Sequence, residues 1–217
     1  MKIPMRQGEA KVVPLDRAIP ATRERDWMSA EINRLRDALT KARDRIVQLE
    51  RLADQDSLVP AFNRRAFVRE LDRWLSFKRR YGANVAVLFF DLNHMKTIND
   101  TLGHSAGDAA LAQIAELLRR HVRETDIVGR LGGDEYAVLL MNAGIATARA
   151  KASDLAQCIR ETAFHWQGWK VPLDVAYGAY EPSVDDTAEA ALHAADQVMY
   201  ERKEQMRAER RAADLKQ

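Results

Sequence analysis

Between two apolar runs, Asp126 to Leu131 and Tyr136 to Met141, the chain places Gly132, Gly133, Asp134 and Glu135. Each run has the length and residue types of a strand. Two glycines at the tip let the backbone take positive φ and come close to a bulky ligand. The acids that follow stand at the mouth of the second strand, where one can hold a divalent cation. A turn of this kind suits a phosphate-metal site, and it also suits an ordinary hairpin with a solvated acidic tip. Upstream sequence separates the two.

Asn84 to Phe90 is a continuous apolar run, too short for a helix core and rich in strand formers, which predicts a buried central strand. It ends in Asp91, then Leu92-Asn93-His94-Met95-Lys96. A carboxylate at the end of a buried strand suits Mg²⁺, which prefers one or two carboxylates plus substrate phosphate oxygens. Lys96 supplies a point charge for triphosphate oxygens. Asn99, Gly103-His104 and Gly107-Asp108 come next, before an amphipathic helix predicted over Ala109 to Arg123. Asn99 and Asp108 carry what a guanine edge needs, an amide that donates and accepts and a carboxylate that accepts. Singly, they read equally as a helix-end residue and an N-terminal helix charge.

Together these segments resemble the GGDEF family of diguanylate cyclases: Phe90 to Asp100, Gly103-His104, Gly107-Asp108 and Gly132 to Tyr136, with Asp56-Ser57-Leu58 and Asn63 to Phe67 before them and Ala195 to Lys203 after. The resemblance spans roughly residues 56–207. It implies an enzyme that joins two GTP molecules into cyclic di-GMP and releases two pyrophosphates. It also implies metal ligation (Mg²⁺ or Mn²⁺) by Asp91, Asp134 and the Leu92 carbonyl, and phosphate stabilisation by Lys96. Asn99 and Asp108 would hold guanine with His104 nearby, at a backbone bared by Gly132 and Gly133. Lys203 and Arg207, four apart on one helical face, would contact phosphate. Glu135 would bind metal or assist deprotonation of the attacking 3′-hydroxyl. Arg123-Glu124-Thr125-Asp126 stands where the family carries its inhibitory product site; Arg123 and Asp126 would be its contacts.

The amino-terminal part carries a heptad seam, with Ile32, Leu39, Ile46 and Ala53 at a and Met28, Leu35, Ala42 and Leu49 at d. This pattern predicts a parallel two-stranded coil and hence a homodimer, which a reaction between two bound nucleotides requires. Glu31 with Arg36, and Arg45 with Glu50, are opposite charges at g and e′; each such exposed pair contributes only about 0.2–1 kcal/mol. A single amphipathic helix packed on its own domain or on another protein has the same pattern.

The organisation expected is an extended or disordered lead over 1–24, a dimerising helix over 25–55, and a catalytic domain over 56–217. Helices are predicted near 64–80, 109–123, 147–165 and 188–206, and strands near 84–91, 126–131, 136–141 and 173–180. That order is the α+β, ferredoxin-like βαββαβ arrangement of a cyclase or polymerase palm, a two-layer sandwich with helices on one face. Trp166, Gly168 and Trp169 mark a turn or extra hairpin, the tryptophans reading as simple packing. Val59-Pro60 stand where the family usually has Thr-Gly, Asn93 replaces an Asp, and Tyr136 replaces a Phe.

With 34 Lys and Arg against 32 Asp and Glu, the net charge of +2 gives no field for nucleic acid or membrane. The single Cys158, placed as helix core, fits a reducing compartment, and no apolar stretch reads as a signal peptide or membrane span. A cytoplasmic protein answering to an upstream regulatory partner is expected. The rival readings are a non-catalytic cyclic di-GMP receptor, a cyclase making a mixed dinucleotide, and a coiled-coil interaction protein.

Overall fold

The structure, a computed structural model, describes the backbone of residues 21–214 and the side chains of residues 25–49 and 53–205. The expected lead falls almost wholly outside the described residues. These form two compact units, one ending at Arg51 and the other beginning at Leu52. Helix α1, Ala21–Asp54, supplies most of the first. Its heptad residues Met28, Ile32, Leu35, Leu39, Ile46 and Leu49 are all exposed, Leu35 by 57%. Glu31 is engaged within its own helix by Arg34, at 2.8 Å. Among the described residues no helix is long and apolar enough to cross a membrane.

The second unit is built on a five-stranded sheet. Its strands are β1 (Phe62–Asn63), β2 (Val85–Leu92), β3 (Ile127–Arg130), β4 (Glu135–Met141) and β7 (Val175–Tyr180), ordered β1-β3-β4-β2-β7. The last four reproduce the expected βαββαβ order, each paired antiparallel with its neighbour. Strand β1 has no signal in the sequence: two residues carry no period, and it exists by pairing in parallel with β3, Phe62 to Gly129. Every residue from Val85 to Phe90 is buried, as its unbroken apolar run requires.

That strand serves two cores. Ala86, Leu88, Phe90 and Leu92 face the crossover helices α4 (His104–Arg120) and α5 (Ile145–Glu161). Val85, Val87 and Phe89 face α2 (Arg64–Tyr81) and α6 (Ala188–Asp214). The two-residue period of a strand makes this division obligatory. Helices on one face therefore describes the crossovers only, and α2 and α6, which lie outside the βαββαβ unit, add a layer opposite. Helix α6 comes close because β7 offers Gly178, where a Cβ would lie 2.4 Å from the Met199 amide nitrogen.

Three local expectations change. Helix α4 begins at His104 rather than Ala109, so Gly107 and Asp108 lie inside it. A short helix, α3 (Met95–Leu102), precedes it; its eight residues, of which only Ile98 is buried, are fewer than the window over which a helical period is read. The helix expected to run to His165 ends at Glu161, and β5 (Phe164–Trp166) and β6 (Trp169–Val171) form a hairpin. Its tip holds Gln167 and Gly168, both at positive φ, the geometry of a two-residue turn. Trp169 is 71% exposed, so simple packing does not account for it.

Candidate functional site

The acidic group gathers where β2 and β4 end. Asp91 and Glu135 are direct cross-strand partners, and the Leu92 amide donates to the Asp134 carbonyl at 3.1 Å. By strand parity Asp91 follows Val87 and Phe89 onto the α2/α6 side. There α6 delivers Lys203, whose ammonium donates to Asp91 Oδ1. Both side chains are largely sequestered, at 20% and 17% exposure. The Arg207 side chain lies outside the described residues.

The glycine tip works differently from the expectation. Neither Gly132 nor Gly133 is at positive φ. Gly132 instead leaves room for the Glu135 carboxylate, which a Cβ there, 2.5 Å from Oε2, would force to turn aside. Burial, then the neighbouring charges of Asp196, Asp134 and Asp91, push the Glu135 carboxyl above its ordinary range, against a smaller pull from Arg64. The site concentrates negative charge that a cation or a proton relieves.

Beside this cluster, α3 and α4 form a second element. His94 caps α3 in the left-handed region at φ 62, and Gly103 turns the chain into α4 at φ 87. Asn99 faces Gly107 so closely that a Cβ at 107 would lie 2.1 Å from Asn99 Oδ1. That oxygen is buried and has no hydrogen-bond partner. A buried acceptor without a donor is costly unless a ligand supplies one. Lys96, His104 and Asp108 are exposed.

The oxygens that Asp91, Asp134 and the Leu92 carbonyl offer here are hard donors, of the kind that suits Mg²⁺ or Mn²⁺. Among the described residues no three acidic, His or Cys side chains converge into a ready cage. Two carboxylates and a carbonyl fit a cation that completes its shell with phosphate or water oxygens.

The Arg123–Asp126 turn stands at the opposite end of β3 from the glycine tip. Asp126 is held by two backbone amides, Arg123 at 3.0 Å and Met141 at 3.2 Å. The Arg123 guanidinium makes no ion pair among the described residues. Cys158 is half-buried, its sulfur 3.5 Å from His121 Nε2.

Sequence reasoning missed the residues that support these groups. Arg130 donates to Asp56 Oδ1 at 3.0 Å and to the Gly133 carbonyl at 2.7 Å, tying the start of the second unit to the tip. Tyr136 donates its hydroxyl to the Leu111 carbonyl at 2.9 Å, and burial, the largest influence, pushes its pKa up. Asn93 donates to Asp174 Oδ2 at 2.9 Å, a contact that an Asp at 93 would turn into repulsion. No spacing signal links these pairs, because each joins segments distant in sequence.

The diguanylate cyclase GGDEF domain family matches residues 53–209. Diguanylate cyclase TpbB of Pseudomonas aeruginosa is 38% identical over 198 residues, covering 88% of this chain and 46% of its own length. The chain thus spans about half the length of that curated relative. A sensory box/GGDEF family protein from Caulobacter crescentus has a solved structure with TM-score 0.66 and 31% identity, covering 70% of this chain and 99% of that one. The coiled coil and GGDEF domain of DgcB from Caulobacter crescentus superposes with TM-score 0.73 over 82% of this chain and 94% of that one, at 22% identity, a likeness of fold. With its strand-end acids, glycine tip and βαββαβ sheet, the chain belongs to the GGDEF family of diguanylate cyclase domains.

Proposed function

We propose that this chain condenses two GTP molecules into cyclic di-GMP and two pyrophosphates, with one GTP per subunit of a homodimer. The observation that carries the reading is the meeting of Asp91, Leu92, Asp134 and Glu135 at one strand end with Lys203 of α6. The 3′-oxygen of one nucleotide attacks the α-phosphorus of the other, in line with the departing pyrophosphate. A bound Mg²⁺ or Mn²⁺ would be held by Asp91, Asp134 and the Leu92 carbonyl, and would offset charge on the phosphate oxygens. Lys96, Lys203 and Arg207 hold those oxygens, and Glu135, whose carboxyl favours the proton, binds cation or takes the proton of the 3′-hydroxyl.

Asn99 and Asp108 read the guanine edge, with His104 beside the pocket. The unpartnered Asn99 Oδ1 supports this, because guanine N–H donors would satisfy it. Gly132 and Gly133 leave the backbone bare beside the nucleotide.

The helix over 25–55 is read as the dimerising element and 56–217 as the catalytic domain. Exposure of the Ile32, Leu35, Leu39, Ile46 stripe supports pairing with a second copy. An upstream partner protein acting on that helix would then control turnover. Product is read as binding at Arg123 and Asp126, limiting synthesis.

Incubating the purified chain with Mg²⁺ and GTP and detecting cyclic di-GMP by mass tests the activity. Asp134→Ala should abolish product with the fold intact, and chelating the cation should do the same reversibly. Release of pyrophosphate without cyclic dinucleotide, or a mixed dinucleotide, would reject the assignment. Leu35→Asp with Leu39→Asp should yield monomers by sedimentation and remove turnover. An Arg123→Ala enzyme should escape the product plateau.

A further inference from the structure

Beside the Arg123–Asp126 turn lies a cavity of about 350 Å³, walled on its far side by the segment that leads out of α1 toward β1. That volume accommodates one nucleotide unit, at the small end of ligand pockets. Arg119, in the last turn of α4 and four residues before Arg123, lines the same cavity. It meets Glu116 at a loose 4.0 Å, and its side chain is 52% exposed. Two arginines therefore line one cavity with no close ion pair holding either guanidinium among the described residues, an arrangement that suits a phosphodiester.

The opposite wall is stiff and apolar. Pro60 and Phe62 line it, together with Gln55. Pro60 is the centre of a three-residue turn closed by the Ala61 amide on the Val59 carbonyl at 2.8 Å, a geometry that the fixed φ of proline favours. Val59 is anchored in the core at 3% exposure. The Asp56 amide donates to the Ala61 carbonyl at 2.8 Å, and the Asp56 carboxylate holds Arg130.

We infer that Arg119 and Pro60 complete the product site begun by Arg123 and Asp126, so that one guanylyl unit of cyclic di-GMP braces residues 55–62 against the end of α4. This rests on the reading of Arg123 and Asp126 as the product contacts. Arg119 and Arg123 take the phosphate, Pro60 and Phe62 cover the base, and Asp126 and Gln55 meet its polar edge. Bound product then stiffens the segment that Asp56 and Arg130 join to the Gly133 carbonyl. Inhibition acts on the mounting of the active turn without occupying it.

The test is calorimetric titration of cyclic di-GMP onto the full chain, with hydrogen exchange followed at the amides of Asp56, Leu58 and Val59. Arg119→Ala should weaken binding at least about tenfold, as loss of a charge-assisted bond does. Arg119→Lys, keeping charge without the fork, should fall between. Pro60→Gly should weaken binding about two- to fivefold by loosening the wall. The named amides should exchange more slowly in the bound wild type. The inference is overturned if Arg123→Ala loses binding while Arg119→Ala and Pro60→Gly bind like wild type and exchange at those amides is unchanged. Wild-type binding by Arg123→Ala would remove the product-site reading itself, and this inference with it.

Discussion

Arg130 and Asp56, 74 residues apart, form an ion pair at 3.0 Å that is nearly enclosed, with side chains 13% and 18% exposed. Burial of Asp56 opposes its charge, but the Leu58 and Val59 amides and the Arg130 guanidinium outweigh it and hold the carboxyl below its ordinary range. A depressed folded value gives stability that is fully present above the unfolded carboxylate pKa of about 3.9 and is lost as pH falls through the folded one. Arg130→Ala should destabilise by about 1–3 kcal/mol at pH 7, by urea denaturation. The gap from wild type should narrow as the pH drops below about 4.

Glu135 carries the opposite sign. Its folded carboxyl is raised, so the folded state binds the extra proton and stability falls as pH climbs from the unfolded pKa toward the folded one. Glu135→Gln should therefore melt at a higher temperature than wild type at pH 7 in cation-free buffer. At pH 4 the two should coincide, and a wild type more stable than the variant at pH 7 would contradict the electrostatic account.

Gly107→Ala separates stability from binding. Alanine is favoured over glycine in a helix by about 0.5–1 kcal/mol, yet its Cβ would stand 2.1 Å from Asn99 Oδ1 and 2.7 Å from the Met95 methyl. Asn99 has to turn aside. The expected outcome is a KM for GTP raised about tenfold or more, one lost hydrogen bond with misplacement, while the melting temperature changes little.

Gly178→Ala has no such escape. Its Cβ would meet the Met199 nitrogen at 2.4 Å and the Ala195 carbonyl at 2.5 Å, backbone atoms of α6 that cannot rotate away. The substitution should cost about 1–3 kcal/mol in chemical denaturation, and it should lower turnover by shifting Lys203.

Tyr136→Phe restores the residue more usual in the family. It removes the hydroxyl bond to the Leu111 carbonyl and should cost about 0.5–1.5 kcal/mol with activity retained. Denaturation and product assays on the same sample check both halves.

The strands and the chemistry of this chain were legible for different reasons. β2 and β4 are continuous apolar runs, and Asp91 and Glu135 are read off their ends. The polar motifs named Asn99, Asp108 and Lys203 through resemblance, without saying what each touches. α3 escaped because eight residues are too short a stretch for a helical period to be told from chance. β1 and the Arg130–Asp56 pair escaped because only tertiary closure brings residues 56–63 against 129–130. The extra helical layer was visible as helices, yet nothing local says which face of a sheet a helix outside the repeat will cover.

Strand β2 supplies residues to both cores and then presents Asp91. The carboxylate is consequently fixed by the part of the molecule that cannot melt alone without dissolving everything else. Heating should thus produce no half-molten catalytic unit that keeps its shape and misplaces Asp91. Displacement of Asp91 and collapse of the sheet should coincide on a single melting curve.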